Sequence, residues 1–340
     1  MTTGIAIFAY NRPKHFERTI NEVIRYSNHP IYIYVDGAES KATEKIQEEI
    51  LITIDRLKKE RESIFLIKSS KNQGLRKSIT NGINNTFLYC DKIIVIEDDI
   101  LVSPNYFKFV DFWLKKATND NEILSICGYQ FNIVEDSLHS LETIQSLKLP
   151  RFMPWGWATW RSKWNTYYYK NITNLLNTYK DQFNMGALPV DIQKFCTNKE
   201  YLDNIHDTWS IPWTLVHYLS RQSCISPSIS LIDNIGFDGT GVHCSSTDIF
   251  DNSNNQIKDN KSMDQDLTRN INVENIIRDF LEKKSDTTMK KDLKEVESSQ
   301  FIEEIQTNNS ENLLKSLINK TVDKFYFDDI HTHLFPPELK

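Results

Sequence analysis

Runs of β-branched and aromatic residues alternate with helical patterns through the first part of the chain. Four runs lack the polar alternation of a half-exposed strand, which predicts strands buried on both faces. They are Gly4–Tyr10, Ile31–Val35, Ile64–Lys68 and Ile93–Ile96. Helical patterns begin at Pro13, after Ser40 and after Gly74. This βαβαβαβ order predicts an α/β fold, a mostly parallel central sheet flanked by helices, whose ligands bind beyond the carboxyl ends of the strands.

The pattern changes near residue 250. All ten glycines lie between Gly4 and Gly241, and residues 251–340 carry 18 Asp and Glu against 13 Lys and Arg. Sparse apolar stripes predict polar helices over residues 264–284, 289–306 and 310–323. We therefore predict a domain over residues 1–250 and a charged helical C-terminal extension over residues 251–340. The extension is either a solvated appendage or a docking element for a partner protein.

Composition argues against several classes of protein. The 340-residue chain is 39% hydrophobic and 25% charged, and no apolar run approaches the roughly 20 residues of a membrane span. The first strand begins at Gly4, so we expect no secretion signal. Five irregularly spaced cysteines are expected to be reduced thiols in a cytosolic protein. A net charge of −6 gives no electrostatic footprint for nucleic acid.

Polar residues follow the predicted strands at their carboxyl ends. Arg12 follows the first strand, Asp36 the second, the third leads to Arg76 and Lys77, and the fourth ends in Glu97–Asp99. Asp36 can accept a base N–H or a hydroxyl and the basic groups can bind phosphate, so the mixture suits a nucleotide. Neither GxGxxG after the first strand nor GxxxxGK[ST] occurs, which argues against dinucleotide-binding and P-loop proteins. Ordinary surface charge is the alternative for the three basic residues.

Three adjacent acids end the fourth strand, and their charges repel one another. Glu97, Asp98 and Asp99 follow Ile93–Ile96 without a break. A divalent cation, Mn²⁺ or Mg²⁺, bound through hard carboxylate oxygens is the simplest group that would hold them together. Alone the triplet is weak support, because acids before a helix N-terminus look similar. Its position at a strand end strengthens the interpretation.

Six motifs, taken in order, resemble those of GT-A-fold glycosyltransferases, the nucleotide-sugar-dependent class whose DxD or EDD motif carries manganese or magnesium. They are Phe8–Pro13, Val35–Gly37, Asn72–Gly74, Val95–Asp99, Pro154–Trp160 and Asn234–Gly241. The chain resembles most the bacterial family-2-like transferases and the N-acetylglucosaminyltransferase I group. The resemblance implies a Rossmann-like GT-A catalytic domain over residues 1–250, with a nucleotide-sugar-binding half at 1–103 and an acceptor-binding half at 104–250.

The resemblance also implies roles for single residues of the rim. Asp99 looks like the direct metal ligand, Asp98 a contact to ribose or metal-bound water, and Glu97 a contact to the donor sugar. Asp36 resembles the uracil-binding aspartate at the second strand, and Arg12 its neighbour at the first.

The diphosphate is expected to meet basic or imidazole groups from two loops. The resemblance places Arg76 or Lys77 against it, without choosing between them. His243 follows Gly236–Gly241, where three glycines in six positions allow close approach of the backbone to a ligand and also allow movement. His243 is expected to contact the diphosphate or the metal, and a lone structural histidine is the alternative.

Four tryptophans crowd into residues 150–164 around a single glycine, and Trp209 and Trp213 follow later. Indole faces stack on the C–H faces of sugar rings while the indole N–H meets a hydroxyl, so such a cluster suits donor-sugar or acceptor binding. We expect Trp155, Trp157 and Trp209 to contact substrate. The alternative is a hydrophobic plug that closes the second half of the fold.

Asp207 is the candidate general base. It lies in His206–Trp213, which resembles the place of the catalytic aspartate in the N-acetylglucosaminyltransferase I group, although there two acids precede the tryptophan and here one does. An inverting transfer needs a carboxylate within hydrogen-bond reach of the acceptor hydroxyl. Asp203 and Asp238 are rivals, and capping of a helix is the alternative role for Asp207.

The sequence therefore favours an inverting, metal-dependent glycosyltransferase that moves a sugar from a UDP-sugar to a glycan or lipid-linked glycan in bacterial surface polysaccharide synthesis. The bacterial setting follows from the resemblance alone. We expect a cytoplasmic protein, with peripheral association at the inner face of the membrane left open. Two alternatives stay open: a catalytically silent glycan-binding or scaffold protein, and a nucleotide-sugar pyrophosphorylase. The latter needs a glycine-rich loop after the first strand, and Ala9–Pro13 contains no glycine.

Overall fold

The computed structural model describes residues 1–131, 143–166, 209–240, 262–268, 276–277 and 279–280. In its first part, strands alternate with helices as predicted. The strands are β1 (Thr3–Ala9), β2 (Ile31–Val35), β3 (Ile64–Lys68) and β4 (Lys92–Glu97), and the helices are α1 (Pro13–Tyr26), α2 (Lys41–Glu60) and α3 (Leu75–Thr86). The pairs β1–β2, β2–β3 and β1–β4 are all parallel. The predicted α/β fold with a mostly parallel sheet is confirmed.

Each of the first three helices begins where a local signal favours it. Pro13 occupies the start of α1, where its missing N–H costs nothing. The Ser40 side chain caps α2 by accepting a hydrogen bond from Thr43 N at 3.1 Å. Gly74, with φ of 78°, precedes α3 in the left-handed region that favours glycine. The loops before these helices therefore leave the carboxyl ends of the strands at one edge of the sheet.

The second part of the described chain extends the sheet beyond β4. Its strands are β5 (Ile100–Val102), β6 (Ile123–Cys127), β7 (Thr143–Leu149), β8 (Trp157–Trp160), β9 (Ser223–Pro227), β10 (Ile232–Asn234) and β11 (Ser262–Thr268), and its helices are α4 (Tyr106–Lys116), α5 (Arg161–Trp164) and α6 (Ser210–Ser220). Within the described ranges, the main sheet runs β11-β7-β9-β6-β8-β4-β1-β2-β3. β8 is antiparallel to both neighbours, β4 and β6, and so joins the two parts. β5 and β10 form a separate antiparallel pair.

β3 lies at an edge of the sheet, and its burial differs from the prediction. β1, β2 and β4 are buried along almost their whole length, as their apolar runs indicated. In β3 only Ile64 is buried, and Phe65 keeps 45% of its surface exposed. The reason is that α3 packs on β1, β2 and β4, closer to the centre of the sheet.

β11 corrects the prediction for the C-terminal extension. The stripe from residue 264 predicted a helix, but Ser262–Thr268 is a strand parallel to β7. Pairing with the backbone of β7 outweighs the weak helical pattern, because propensity yields to tertiary context. The sheet thus includes residues beyond the predicted domain boundary at residue 250. The helices predicted over 289–306 and 310–323 lie outside the described residues.

Helical backbone does occur at residues 276–277 and 279–280. Ile277 is buried, and Phe280 packs against Phe131 with ring centroids 5.7 Å apart. These two contacts attach part of the predicted extension to the hydrophobic core.

A cluster of aromatic side chains packs α6 against β8 and α5. Trp157, on β8, stacks on Trp209 with ring centroids 5.4 Å apart, and Phe152 meets Trp157 edge-on at 5.1 Å. Trp164 and Trp213 also belong to the cluster, and their ring centroids lie 5.1 Å apart. Buried rings in offset and edge-to-face contact contribute both apolar area and a preferred geometry. The cluster therefore anchors the second part of the fold.

None of the helices in the described ranges is long and apolar enough to cross a bilayer. Cys90, Cys127 and Cys224 are buried free thiols, in agreement with the expectation of reduced cysteines. Cys196 and Cys244 lie outside the described residues.

A neutral histidine is buried beside the aromatic cluster. His217 of α6 stacks on Phe152, with ring centroids 5.2 Å apart, and has no exposed surface. Its Nδ1 donates to the Trp213 carbonyl oxygen at 2.8 Å, which leaves Nε2 to accept from the Ser125 hydroxyl at 2.7 Å. Burial lowers the pKa of His217 to about 4.

We predict that His217 makes the protein less stable in acid. An unfolded chain protonates this histidine near pH 6.5, whereas the folded chain resists protonation down to about pH 4, so the free energy of unfolding falls as the pH drops through this window. The decrease due to His217 is about 3 kcal/mol. Urea denaturation at a series of pH values should show a smaller decrease for His217→Gln, which cannot titrate. Equal decreases in the two proteins would contradict this role.

Candidate active site

The carboxyl ends of β1, β2 and β4 lie side by side at one edge of the sheet. Phe8 pairs with Glu97, and Ala9 pairs with Val35, so the last positions of the three strands are aligned. Arg12 follows β1, Asp36 follows β2, and the acidic triplet Glu97–Asp99 spans the end of β4. Residues far apart in the sequence are therefore brought to one rim, as predicted from the parallel order of the strands.

Arg12 lies between the two aspartates of the triplet. Its Nη2 donates to Asp98 Oδ1 at 2.6 Å and to Asp99 Oδ2 at 2.7 Å. The side chains of Arg12, Asp98 and Asp99 are 19%, 6% and 15% exposed. Short charge-assisted hydrogen bonds in a site with little water are strong. The resemblance implied that Arg12 neighbours Asp36, the expected base contact, and in the structure its guanidinium binds the acidic triplet.

Backbone contacts hold the triplet in place. Tyr10 N donates to Asp98 Oδ2 at 3.4 Å, and the Thr19 hydroxyl on α1 donates to the Asp98 carbonyl oxygen at 2.9 Å. Ile235 N, directly after β10, donates to the Asp99 carbonyl oxygen at 2.9 Å. Three separate elements therefore position the turn that follows β4.

The triplet carries more negative charge than Arg12 neutralises. Burial, followed by the Asp99 and Asp98 carboxylates, raises the pKa of Glu97 to about 8. Burial also raises the pKa of Asp98 to about 6, and Arg12 opposes that shift. Burial lowers the pKa of Arg12, but the two aspartates outweigh it and the net shift is upward. Carboxyl groups perturbed in this way are typical of functional sites.

The segment after β10 covers Asp99. A Cβ atom at Gly236 would lie 2.1 Å from Asp99 Oδ2, so this close approach requires glycine. The following residues are attached to the rest of the fold: His15 Nε2 lies 3.1 Å from Asp238 Oδ2, and Phe237 packs edge-on against Trp155 with ring centroids 5.5 Å apart. The loop that sequence analysis singled out for close backbone approach thus lies against the expected metal ligand.

Asp36 is buried and joins two loops. Its Oδ1 accepts hydrogen bonds from Gly37 N at 2.9 Å and Gln73 N at 3.0 Å, and its Oδ2 accepts from Gln73 N and Gly74 N, both at 3.1 Å. A Cβ atom at Gly37 would lie 2.1 Å from the Lys71 carbonyl carbon, so backbone meets backbone here. Burial raises the pKa of Asp36, and the three N–H donors oppose the shift. Asp36 thus orders the turn before α3, and its contact with a base stays a prediction.

Arg76 and Lys77 lie in the first turn of α3, which begins at this same edge of the sheet. Arg76 is half-buried and Lys77 is exposed. Their position agrees with a role at the rim, and the choice between them as the diphosphate contact stays open.

The three tryptophans expected at the substrate differ in exposure. Trp155 is half-buried and packs edge-on against Tyr129, with ring centroids 4.7 Å apart. Trp157 has no exposed surface, and Trp209 keeps 3%. Their ring faces pack against each other in the aromatic cluster, which corrects the expectation of a sugar contact for these two residues. Trp157 and Trp209 therefore belong to a hydrophobic plug, which was the alternative prediction for these tryptophans. Of the three, only Trp155 stays a candidate for binding sugar.

Two of the three candidate bases lie outside the described residues. Asp207, Asp203 and also His243 belong to ranges of the chain that the structure does not describe, so their roles stay predictions. Asp238 is described: the Thr240 hydroxyl donates to it at 2.6 Å and Thr240 N at 2.9 Å, and these bonds lower its pKa. A lowered pKa makes Asp238 a weaker proton acceptor.

Sequence reasoning missed His15 and Thr19. They are four residues apart on α1, so they share one face of the helix, the face that meets Asp238 and the acidic triplet. The sequence carried a signal for Thr19, because this polar residue interrupts the apolar stripe of α1 next to Ile20. In the structure Thr19 is fully buried. A polar residue on the buried face of a helix has to find a partner.

The comparison with protein families identifies the class. The family described as "Glycosyl transferase family 2" matches residues 4–188, which is more than half of the chain. The chain therefore belongs to glycosyl transferase family 2, and it is a glycosyltransferase with an α/β fold. No curated protein sequence matches the chain.

Several solved structures match parts of the chain at low identity. The mannosyltransferase PcManGT from Pyrobaculum calidifontis, in complex with GDP-Man and Mn²⁺, is 12% identical, with 64% of this chain and 68% of that chain covered and a TM-score of 0.35. GalNAc-T7 with UDP, GalNAc and Mn²⁺ is 11% identical over 69% of this chain and 44% of that one, with a TM-score of 0.42. TarS residues 1–349 from S. aureus are 9% identical, with 68% of this chain and 60% of that chain covered and a TM-score of 0.34. The chain thus spans less than two thirds of the latter two.

We predict that Asp36→Asn loosens the turn before α3. The amide nitrogen that replaces one carboxylate oxygen cannot accept from a backbone N–H, so two of the four hydrogen bonds to Asp36 are replaced by donors that face a donor, and the free energy of unfolding falls by about 1–3 kcal/mol. Urea denaturation measures the loss, and hydrogen exchange should be faster at the amides of Gln73 and Gly74. Asp55→Asn, at an exposed position of α2, is the matched control and should leave both measurements unchanged. Unaltered exchange at the two amides in Asp36→Asn would contradict the role.

Proposed function

We propose that this glycosyltransferase is an inverting, metal-dependent enzyme that moves a sugar from a UDP-sugar to a glycan or lipid-linked glycan acceptor. The observation that carries the proposal is the meeting of Arg12, Asp98 and Asp99 at the end of β4, beside Asp36 at the end of β2. Ligands of open α/β sheets bind at this edge. A rim with both acidic and basic groups suits a ligand that carries a diphosphate together with a metal ion.

The acidic triplet has the chemistry of a Mn²⁺ or Mg²⁺ site. Asp98 and Asp99 each direct one hard oxygen donor to the same Arg12 nitrogen, so both can face one cation. Among the described residues, no group of three His, Cys, Asp or Glu side chains could hold a metal ion, so further ligands would come from substrate, water or His243. Asp99 is the proposed direct ligand. A bound cation would neutralise charge on the leaving diphosphate.

The donor would be bound by the loops that follow β1, β2 and β3. Asp36 is the proposed contact to uracil, and Tyr10 lies close by, since its hydroxyl accepts from Asn72 Nδ2 at 3.2 Å in the turn that Asp36 orders. Arg76 or Lys77 would face the diphosphate. These assignments rest on the resemblance together with the position of the loops at one rim.

The remaining donor contacts come from the triplet. Asp98 would contact ribose or metal-bound water, and Glu97, which is half-buried at the end of β4, would contact the donor sugar. Both assignments rest on the resemblance, and both place a carboxylate where hydroxyl groups need acceptors.

The acceptor would be bound on the side of Trp155. Its half-buried ring packs beside Phe237 of the segment that covers Asp99, so a sugar stacked there would lie close to the rim. Asp207 is the proposed base that takes the proton of the acceptor hydroxyl, on the ring face opposite the leaving diphosphate, which inverts the anomeric carbon. Bacterial surface polysaccharide synthesis is proposed as the setting from the resemblance to bacterial family-2-like transferases.

Replacement of the proposed metal ligand tests this function. Asp99→Asn is expected to transfer sugar at least about a hundredfold more slowly than the wild type, because a neutral amide binds a divalent cation less tightly than a carboxylate, and the cation would neutralise the negative charge that develops on the leaving diphosphate. The measurement is release of UDP from a panel of UDP-sugars with Mn²⁺ and oligosaccharide acceptors.

Asp55→Asn removes an acid of the same type from the exposed side of α2 and should keep wild-type activity. Full activity of Asp99→Asn would refute the metal role. Glycan binding by the wild type without UDP or Mn²⁺, and without any release of UDP, would instead favour the silent binding protein. Retained anomeric configuration in the product, read by NMR, would refute inversion.

A further inference from the structure

Arg12 holds the position between the acidic side chains that a bound cation would take. One nitrogen of its guanidinium contacts an oxygen of Asp98 and an oxygen of Asp99, at 2.6 and 2.7 Å. We propose that Arg12 is a built-in counter-ion, which competes with the divalent cation for these two carboxylates and pairs with the donor diphosphate once the cation has bound. The proposal rests on the proposed function and adds a positioning residue to it.

The partners in this contact differ in freedom of movement. The turn that carries the two aspartates is fixed by hydrogen bonds to its carbonyl oxygens, from the Thr19 hydroxyl to Asp98 and from Ile235 N to Asp99. The Asp98 carboxylate also accepts from Tyr10 N at 3.4 Å. Arg12 reaches them through a long, unbranched side chain from the residue before α1. An exchange of cations therefore requires rotation of one side chain, with the acidic turn left in place.

The charges of the cluster favour such an exchange. A single positive charge faces three carboxyl groups at the end of β4, so the site is undercompensated when Arg12 alone is present. A divalent cation compensates it better, but a guanidinium at hydrogen-bond distance would repel that cation strongly in a buried site. Arg12 and the metal therefore cannot share the two oxygens, and one has to displace the other.

The covering segment leaves space for the arginine in its present position. A Cβ atom at Gly236 would lie 2.1 Å from Asp99 Oδ2 and 3.1 Å from Arg12 Nη1. A larger residue would collide with the carboxylate and crowd the guanidinium. Glycine at this position thus allows the ion pair to form beneath the loop.

Release of Arg12 would couple metal binding to nucleotide binding. A guanidinium presents a planar set of donors that matches phosphate oxygens. When a cation displaces it, the group becomes available at the edge of the sheet where the diphosphate is proposed to lie. By linkage, the nucleotide then strengthens metal binding by the same factor as the metal strengthens nucleotide binding.

The test measures binding of Mn²⁺ alone, by EPR of free Mn²⁺ without nucleotide. Arg12→Met, which keeps length and loses charge, should bind Mn²⁺ about tenfold more tightly than the wild type, because the competing cation is gone. Arg18→Met removes an exposed arginine from α1, the helix that follows Arg12, and should change the affinity by less than about twofold. At saturating Mn²⁺, calorimetry should show UDP binding to Arg12→Met about tenfold more weakly than to the wild type.

The outcomes separate this inference from the proposed function. Equal or weaker Mn²⁺ binding by Arg12→Met, while the wild type binds Mn²⁺, would overturn the inference and leave the metal role intact. If neither protein binds Mn²⁺, both fail. Arg12→Gln serves as a second variant if Arg12→Met does not fold. In the wild type, NMR should show a shift and faster exchange of the Arg12 Nε–H on addition of Mg²⁺, and an unchanged signal would also overturn the inference.

Discussion

Carboxylates placed side by side at the end of a buried strand repel one another, and they stay together where positive charge reaches them or a proton neutralises one of them. In this protein β4 ends in three such groups, and the parallel sheet places the end of β1, with Arg12, beside them. Other contacts of the rim depend on this arrangement: Thr19 and Ile235 hold the backbone of the triplet, and the glycine after β10 fits over the ion pair. The cost of the acidic cluster thus explains why helix, strand and loop converge there.

The aromatic cluster forms the framework on the other side of β4. Trp157 lies on β8, the strand that pairs with both β4 and β6, so its packing against Trp209 and Phe152 fixes the joint between the two parts of the sheet. Trp155 stands two residues earlier with its ring only half-buried. Trp155 lies outside β8, and Gly156, with φ of 58°, turns the backbone between the two residues. The neighbouring tryptophans therefore serve different tasks: one packs in the core, and one lies beside the covering segment.

Much of this fold could be predicted from the sequence, because its signals are local. Unbroken apolar runs specify β1, β2 and β4, and Pro13, Ser40 and Gly74 mark the helix starts. The position of Asp36 and of the triplet at one rim followed from the parallel order of the strands. The edge position of β3, which leaves Phe65 exposed, depends on the order of the strands in space, and local sequence does not give that order. The strand β11 depends on its pairing with β7, which lies more than a hundred residues away in sequence. The contact of Arg12 with Asp98 and Asp99 depends on the rotamer of a long side chain, which the sequence does not specify. Composition alone also does not show whether Trp157 packs in the core or stacks against a sugar.

The covering of Asp99 by Gly236 also has a consequence for how the protein is made. The hydrogen bond between these segments and the β5–β10 pair join residues that are 130 to 136 positions apart in sequence. Contacts of such separation require closure of a long loop and tend to form late in folding. While β10 is still being synthesised on the ribosome, the acidic turn after β4 is open to solvent on that side. The part of the sheet formed by β1–β4 can therefore assemble during synthesis, but the acidic turn is covered only after β10 has emerged.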